Sequence, residues 1–151
     1  MLQSALLAWL HYVGFAGMLA CLVLEHRLFQ PTMSANQLKA LGRIDLLYGG
    51  LAGAQIATGV FRLWLEKGVA YYLHNGLFHA KLMLFVMVGL ASLYPTIHFI
   101  RLNRGAQGET VMVPQDLVRK IMMVIRLELF LMLLIPLFAT MMARGMGIGA
   151  H

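Results

Sequence analysis

Four stretches of the chain are almost free of charge, and the polar residues gather between them. The first reads "SALLAWLHYVGFAGMLACLVL" and covers about 4–24; the others cover about 44–65, 77–100 and 117–142. Each is close to the roughly 20 residues that a helix needs to cross the hydrocarbon of a bilayer. Lipid offers no partner to unpaired N–H and C=O groups, so backbones crossing it are helical. The first run has no basic segment before it and is long enough to span, which reads as a membrane span rather than a cleaved signal peptide. The pattern predicts an all-α fold, an integral membrane up-and-down four-helix bundle, in a single transmembrane domain over 1–151.

The connections carry the orientation. The first contains Arg27, Lys39 and Arg43, and the third contains Arg101, Arg104, Arg119 and Lys120. The second holds Lys67 balanced by Glu66. By the positive-inside rule the first and third connections are cytoplasmic, which puts both termini outside; Arg144 is a mild dissent. Within the first connection "SANQ" has the form of a capping box, Ser34 followed three residues later by Gln37, and predicts a short helix leading into the second span. Pro95 and Pro136 fall inside spans, where membrane helices tolerate them.

Composition agrees with the pattern. Of 151 residues 60% are hydrophobic and 12% charged, and the mean hydropathy is +0.76. The net charge of +6 comes from residues flanking the spans, with no basic stripe and few interleaved aromatics, which argues against nucleic acid as a partner. The lipid bilayer is the expected partner. One cysteine, Cys21, excludes an internal disulfide and multi-cysteine metal sites; its apolar surroundings predict a packed side chain. No phosphate loop, HExxH or GxSxG motif is present.

Candidate chemistry rests on the ionisable residues inside the spans, which are functional candidates by default. His11 lies roughly 10 Å into the first span at 1.5 Å per residue, and His79 and Lys81 lie a little shallower in the third. Three ionisable groups from two helices thus share one layer. His11 shares its face with Gly14, Met18 and Glu25. Gly14 leaves room either for a flat ligand or for a neighbouring helix. His79 and Lys81 are about 200° apart around their helix, so only one can point at the bundle centre. On the second span Gly49, Gly53 and Ala57 form a small-xxx-small seam suited to close helix contact, a porphyrin edge or a homodimer. Arg62 and Glu66 have the spacing of a surface pair, and Asp45 and Tyr48 open the span on its inner side. In the fourth span Glu128 lies near mid-bilayer, where a lone carboxylate costs about 3 kcal/mol, and calls for a proton, Arg126 or another helix as partner. The closing "MMARGMGIGAH" holds Met and His but no specific metal-binding spacing.

The motifs "RIDLLYG", "ATGVFR", "FHAKL", "LASLYPTIHF" and "LIPLFATMMARG" resemble a bacterial family of small four-helix membrane proteins along the whole chain. More distantly, the chain is similar to the HemJ-type protoporphyrinogen oxidases. Their first-helix histidine, Arg-Leu-Phe exit and His-x-Lys-Leu motif fall on His11, on Arg27, Leu28 and Phe29, and on His79, Lys81 and Leu82. That resemblance implies haem b held between the first and third spans, with His11 and Lys81 as axial ligands, Lys81 bonding as a neutral amine and His79 as the alternative. Together with the residues singled out in the spans, the expected cofactor-binding set is His11, Lys81, His79, Gly14, Gly53, Arg126 and Glu128. The chain departs from the HemJ pattern at Leu127, which stands where that pattern has Asn, and in the delayed Pro136.

Two further readings stand beside the haem protein. In one, a cofactor-free transporter or channel component uses Lys81, Arg126 and Glu128 to line a polar path. In the other, an accessory subunit uses its polar groups for packing. The redox reading implies a bacterial inner-membrane, multi-pass protein of oxidoreductase type, with quinone or porphyrin as small-molecule partner.

Overall fold

The structure is a computed structural model, which describes residues 2–65, 68–106, 108 and 110–146. Helix α1 runs over Leu2–Leu28, α2 over Ala35–Leu65, the short α3 over Val69–Leu73, α4 over Gly76–Gly105 and α5 over Gln115–Ala143. Two-residue strands β1 (Thr32–Met33) and β2 (Val111–Met112) lie in the first and third connections. Helices α1, α2, α4 and α5 are each long and apolar enough to cross a membrane. At 27 to 31 residues they are about 40–47 Å long, so their ends extend beyond a hydrocarbon layer of about 30 Å.

Each helix is longer than its apolar run because polar residues cap and extend it. Ser34 N–H donates to Gln37 Oε1 at 2.8 Å and Gln37 N–H donates to Ser34 Oγ at 3.3 Å, the reciprocal pair of a capping box. The box starts α2 itself. No separate short helix precedes the span, because no helix breaker intervenes before it: the glycine on the way, Gly42, packs against Asn103, whose Nδ2 would lie 2.9 Å from a Cβ there. At the other connection Asn75 caps α4 by accepting from Leu77 N–H at 2.9 Å.

The four long helices form a ring in which α1 packs on α2, α2 on α4, α4 on α5 and α5 on α1. Packing is most extensive within the hairpins α1–α2 and α4–α5, and α1 and α4 stand diagonally. Core positions repeat with the seven-residue spacing of a bundle seam, as in Met18 and Glu25 on α1, Leu41, Tyr48 and Gln55 on α2, and Ile121, Glu128 and Ile135 on α5. The α1–α2 contact is close because α1 presents glycines. A Cβ on Gly14 would lie 2.6 Å from Gln55 Nε2, and one on Gly17 would lie 2.9 Å from Leu51 Cδ1.

The end of the bundle that carries the basic connections is sealed. Phe29 and Phe99 rings meet at 5.4 Å, β1 pairs antiparallel with β2, and Val113 N–H donates to Pro31 O at 2.7 Å. At the opposite end the spanning helices bury no side chain before Gly14 in α1, beyond Gln55 in α2, before Val88 in α4 or beyond Ile135 in α5. Cys21 is buried and free, as its apolar setting predicts.

Candidate functional site

Three of the buried polar residues are carboxylic acids, and they converge near the sealed end. Glu25 from α1 is 2% exposed, Asp45 from α2 9% and Glu128 from α5 0%. Tyr48 of α2 and Thr96 of α4 complete the group, so every spanning helix contributes. Thr96 Oγ1 donates to Asp45 Oδ1 at 2.7 Å, and Tyr48 OH donates to Glu128 Oε2 in a long bond of 3.4 Å. The pairing of His11 with Thr58 and of Gly17 with Leu51 sets the α1–α2 register. By that register Glu25 and Asp45 share one layer, with Tyr48 and Glu128 about one helical turn further in. No basic side chain among the described residues is hydrogen-bonded to Glu128 or Asp45, whose partners are the hydroxyls of Tyr48 and Thr96.

The cluster is under-satisfied. Oε1 of Glu25 and Oε1 of Glu128 are both buried with no hydrogen-bond partner among the described residues. An unpaired buried polar atom costs about 1–3 kcal/mol, and more if it is charged. The five groups offer oxygen atoms alone. Among the described residues no three His, Cys, Asp or Glu side chains are spaced to hold a metal ion.

This site differs from the one expected along the sequence. Arg126 is not the partner of Glu128: two residues apart on α5 they point to different sides, and Arg126 Nε donates to His26 Nε2 at 3.1 Å instead. Asp45 does not sit at a helix start, because α2 begins at Ala35 and places it nearly three turns in. Glu25 and Thr96 were not singled out as site residues. The seven-residue series from His11 through Met18 to Glu25 carried a signal for Glu25; Thr96 had none beyond its place one residue after Pro95.

The other ionisable layer is resolved differently. Lys81 lies seven residues before Val88 and fourteen before Pro95, both buried, and so occupies the core-facing stripe of α4. His79 is exposed, its Nε2 bonded to Leu73 O at 2.9 Å. His11 bonds sideways to α2 through Nδ1 and Thr58 Oγ1 at 2.9 Å. Thr58 directs its own proton to Ala54 O at 2.7 Å, which makes His11 Nδ1 the donor and Nε2 the basic nitrogen.

The glycines do not provide a cradle. Gln55 fills the space above Gly14 and donates to His11 O at 2.6 Å. Gly49 and Gly53 face outward, and a Cβ on either would meet nothing within 4 Å. Lys81 Nζ lies over the Phe78 ring at 5.6 Å, Gly53 and His79 are exposed, and Arg126 and Glu128 lie toward the opposite end from His11 and Lys81. Arg62 stacks over Tyr12 at 5.3 Å, while Glu66 and the tail from 147 fall outside the described residues.

No curated protein and no solved structure matches the chain. A family model described as "Predicted membrane protein (DUF2214)" matches residues 3–147, which covers all four spanning helices, and the chain belongs to that family.

Proposed function

We propose that the carboxyl cluster of Glu25, Asp45 and Glu128 takes up and releases protons, and that the protein is a small proton-coupled membrane component. The observation that carries this reading is the pair of unpartnered, buried Oε1 atoms on Glu25 and Glu128. Burying an ionised carboxylate without a cation costs several kcal/mol, so such groups hold a proton or give it up only when something replaces it. The Tyr48 and Thr96 hydroxyls, each bonded to one carboxyl, would serve as relay groups for a proton leaving that carboxyl.

The test is proton flux. Proteoliposomes with a trapped pH-sensitive dye are given a pH step, and Glu128→Gln is compared with the unaltered chain. Flux in the unaltered chain that falls at least tenfold in Glu128→Gln supports the reading. Equal flux in both, at matched protein incorporation, removes it.

A second reading is favoured by one observation, the place of Lys81 on the buried stripe of α4, on the helix diagonal to the one carrying His11, at the end of the bundle where no spanning helix buries a side chain. There a haem b would be held by His11 Nε2 and Lys81 Nζ. The bond from His11 Nδ1 to Thr58 would hold the imidazole in place for such ligation. A bound haem would supply one-electron transfer, and quinone or porphyrin would be the partner. Absorption spectra of the oxidised and reduced purified protein, beside His11→Ala and Lys81→Ala, test it. A colourless preparation after expression with excess haem refutes it.

A further inference from the structure

Arg126 stands where membrane proteins seldom place a charge. On α5 it lies among Met123, Leu127, Phe130 and Leu133, which are 64%, 49%, 59% and 61% exposed, so this is the face turned to lipid. Charged residues inside spans usually face the bundle interior, and one on the outside needs a compensating partner. Its one hydrogen bond among the described residues is the 3.1 Å contact from Nε to Nε2 of His26. As the acceptor, His26 is neutral at Nε2 and cancels none of the charge. One of the five guanidinium N–H groups is used, and the four on the terminal amino groups have no acceptor among the described residues.

The bond also fixes where the cation sits. His26 is two residues from the end of α1, and Arg126 is six residues beyond Lys120, about 9 Å along α5. The guanidinium is thus tied at the α1–α5 seam, level with the last turn of α1 and within reach of a headgroup layer. A planar fork with its Nε held in place and its outer edge open matches two oxygens of a phosphate. Apolar side chains run up α5 from it, where acyl chains would lie. Exposed Arg27, Arg119 and Lys120 at the same end favour a headgroup with net negative charge.

We infer that Arg126, positioned by His26, binds the phosphate of an anionic phospholipid at the seam between α1 and α5. The site is separate from the carboxyl cluster, and its test does not involve proton movement.

The purified full-length protein in detergent is titrated with phosphatidylglycerol, phosphatidylcholine and inorganic phosphate. Bound lipid is counted by native mass spectrometry, and the unfolding temperature is followed in parallel. Phosphatidylglycerol should bind in preference to phosphatidylcholine, and Arg126→Gln should weaken it by roughly fivefold or more. Arg126→Lys keeps the charge without the fork and should fall between the two. His26→Ala frees the guanidinium and should weaken binding less than Arg126→Gln.

Equal affinity for the two lipids in the unaltered protein overturns the inference, and this comparison stands even if Arg126→Gln fails to fold. Lipid binding unchanged in Arg126→Gln also overturns it. Inorganic phosphate displacing the lipid at equal concentration would assign the site to a free anion instead. An unaltered protein that is dimeric, becomes monomeric in Arg126→Gln and binds the same amount of lipid would make a second copy's carboxylate the partner.

Discussion

The two ends of the bundle solve the same problem in opposite ways. At the sealed end, Phe29, Phe99, Leu38, Leu41, Ile121 and Ile125 are buried around three carboxyls, and a strand pair closes the connections. At the other end the spanning helices bury nothing, yet His11, Lys81 and Arg62 sit there half-buried, each with a partner. Rigid packing surrounds the groups that are hardest to bury, and the looser end carries groups that lipid, solvent or a ligand can satisfy. A carboxyl in a tight, dry setting responds to one proton; a histidine in a loose one can accommodate something larger.

Six substitutions would break or sharpen that contrast. The largest effect is expected for Phe99→Ala, which empties the sealed end and should cost about 3–5 kcal/mol in detergent unfolding. The same truncation of half-buried Phe78 at the open end should cost under half as much, and equal losses would erase the difference between the ends. Gly14→Ala must displace the Gln55 amide from His11 O, a loss of about 1 kcal/mol. Gly53→Ala meets nothing and should leave the unfolding temperature unchanged; a loss there would reveal a partner on the outer face of α2. Thr58→Val removes the bond to His11 Nδ1 and should cost about 1 kcal/mol, while shifting the His11 ring resonances in an NMR spectrum. The most informative outcome is expected for Glu128→Met. Replacing an under-satisfied carboxyl with an apolar side chain of similar size should be neutral or stabilising, and it should abolish proton flux. A marked loss of stability would instead make Glu128 a structural group.

Much of the fold was legible because lipid imposes length and apolarity on a spanning helix, and the Ser34–Gln37 box was legible because capping is local chemistry. The inward face of each helix was not. In a bilayer, apolar side chains suit both the core and the lipid, so amphipathicity, the usual guide to orientation, fades. That is why Gly53 looked like a contact residue and lies outside, and why His79 and Lys81 could not be separated until Val88 and Pro95 marked the buried stripe. The span limits drawn from hydropathy also hid Asp45, whose depth depends on where α2 is capped. The mismatch of Arg126 with Glu128 could have been seen: residues two apart on a helix do not meet.

The order in which the cluster is synthesised has a consequence of its own. Asp45 reaches its hydrogen-bond donor across 51 residues of chain, and Tyr48 reaches Glu128 across 80. At roughly 5–20 residues per second, the first hairpin waits several seconds in the insertion machinery before α5 emerges. During that interval Glu25 and Asp45 face the bilayer without Thr96 or the rest of the bundle around them. Assembly of this protein is therefore most vulnerable when half of it has been made, and chains halted after α2 should be retained by the insertion machinery or degraded.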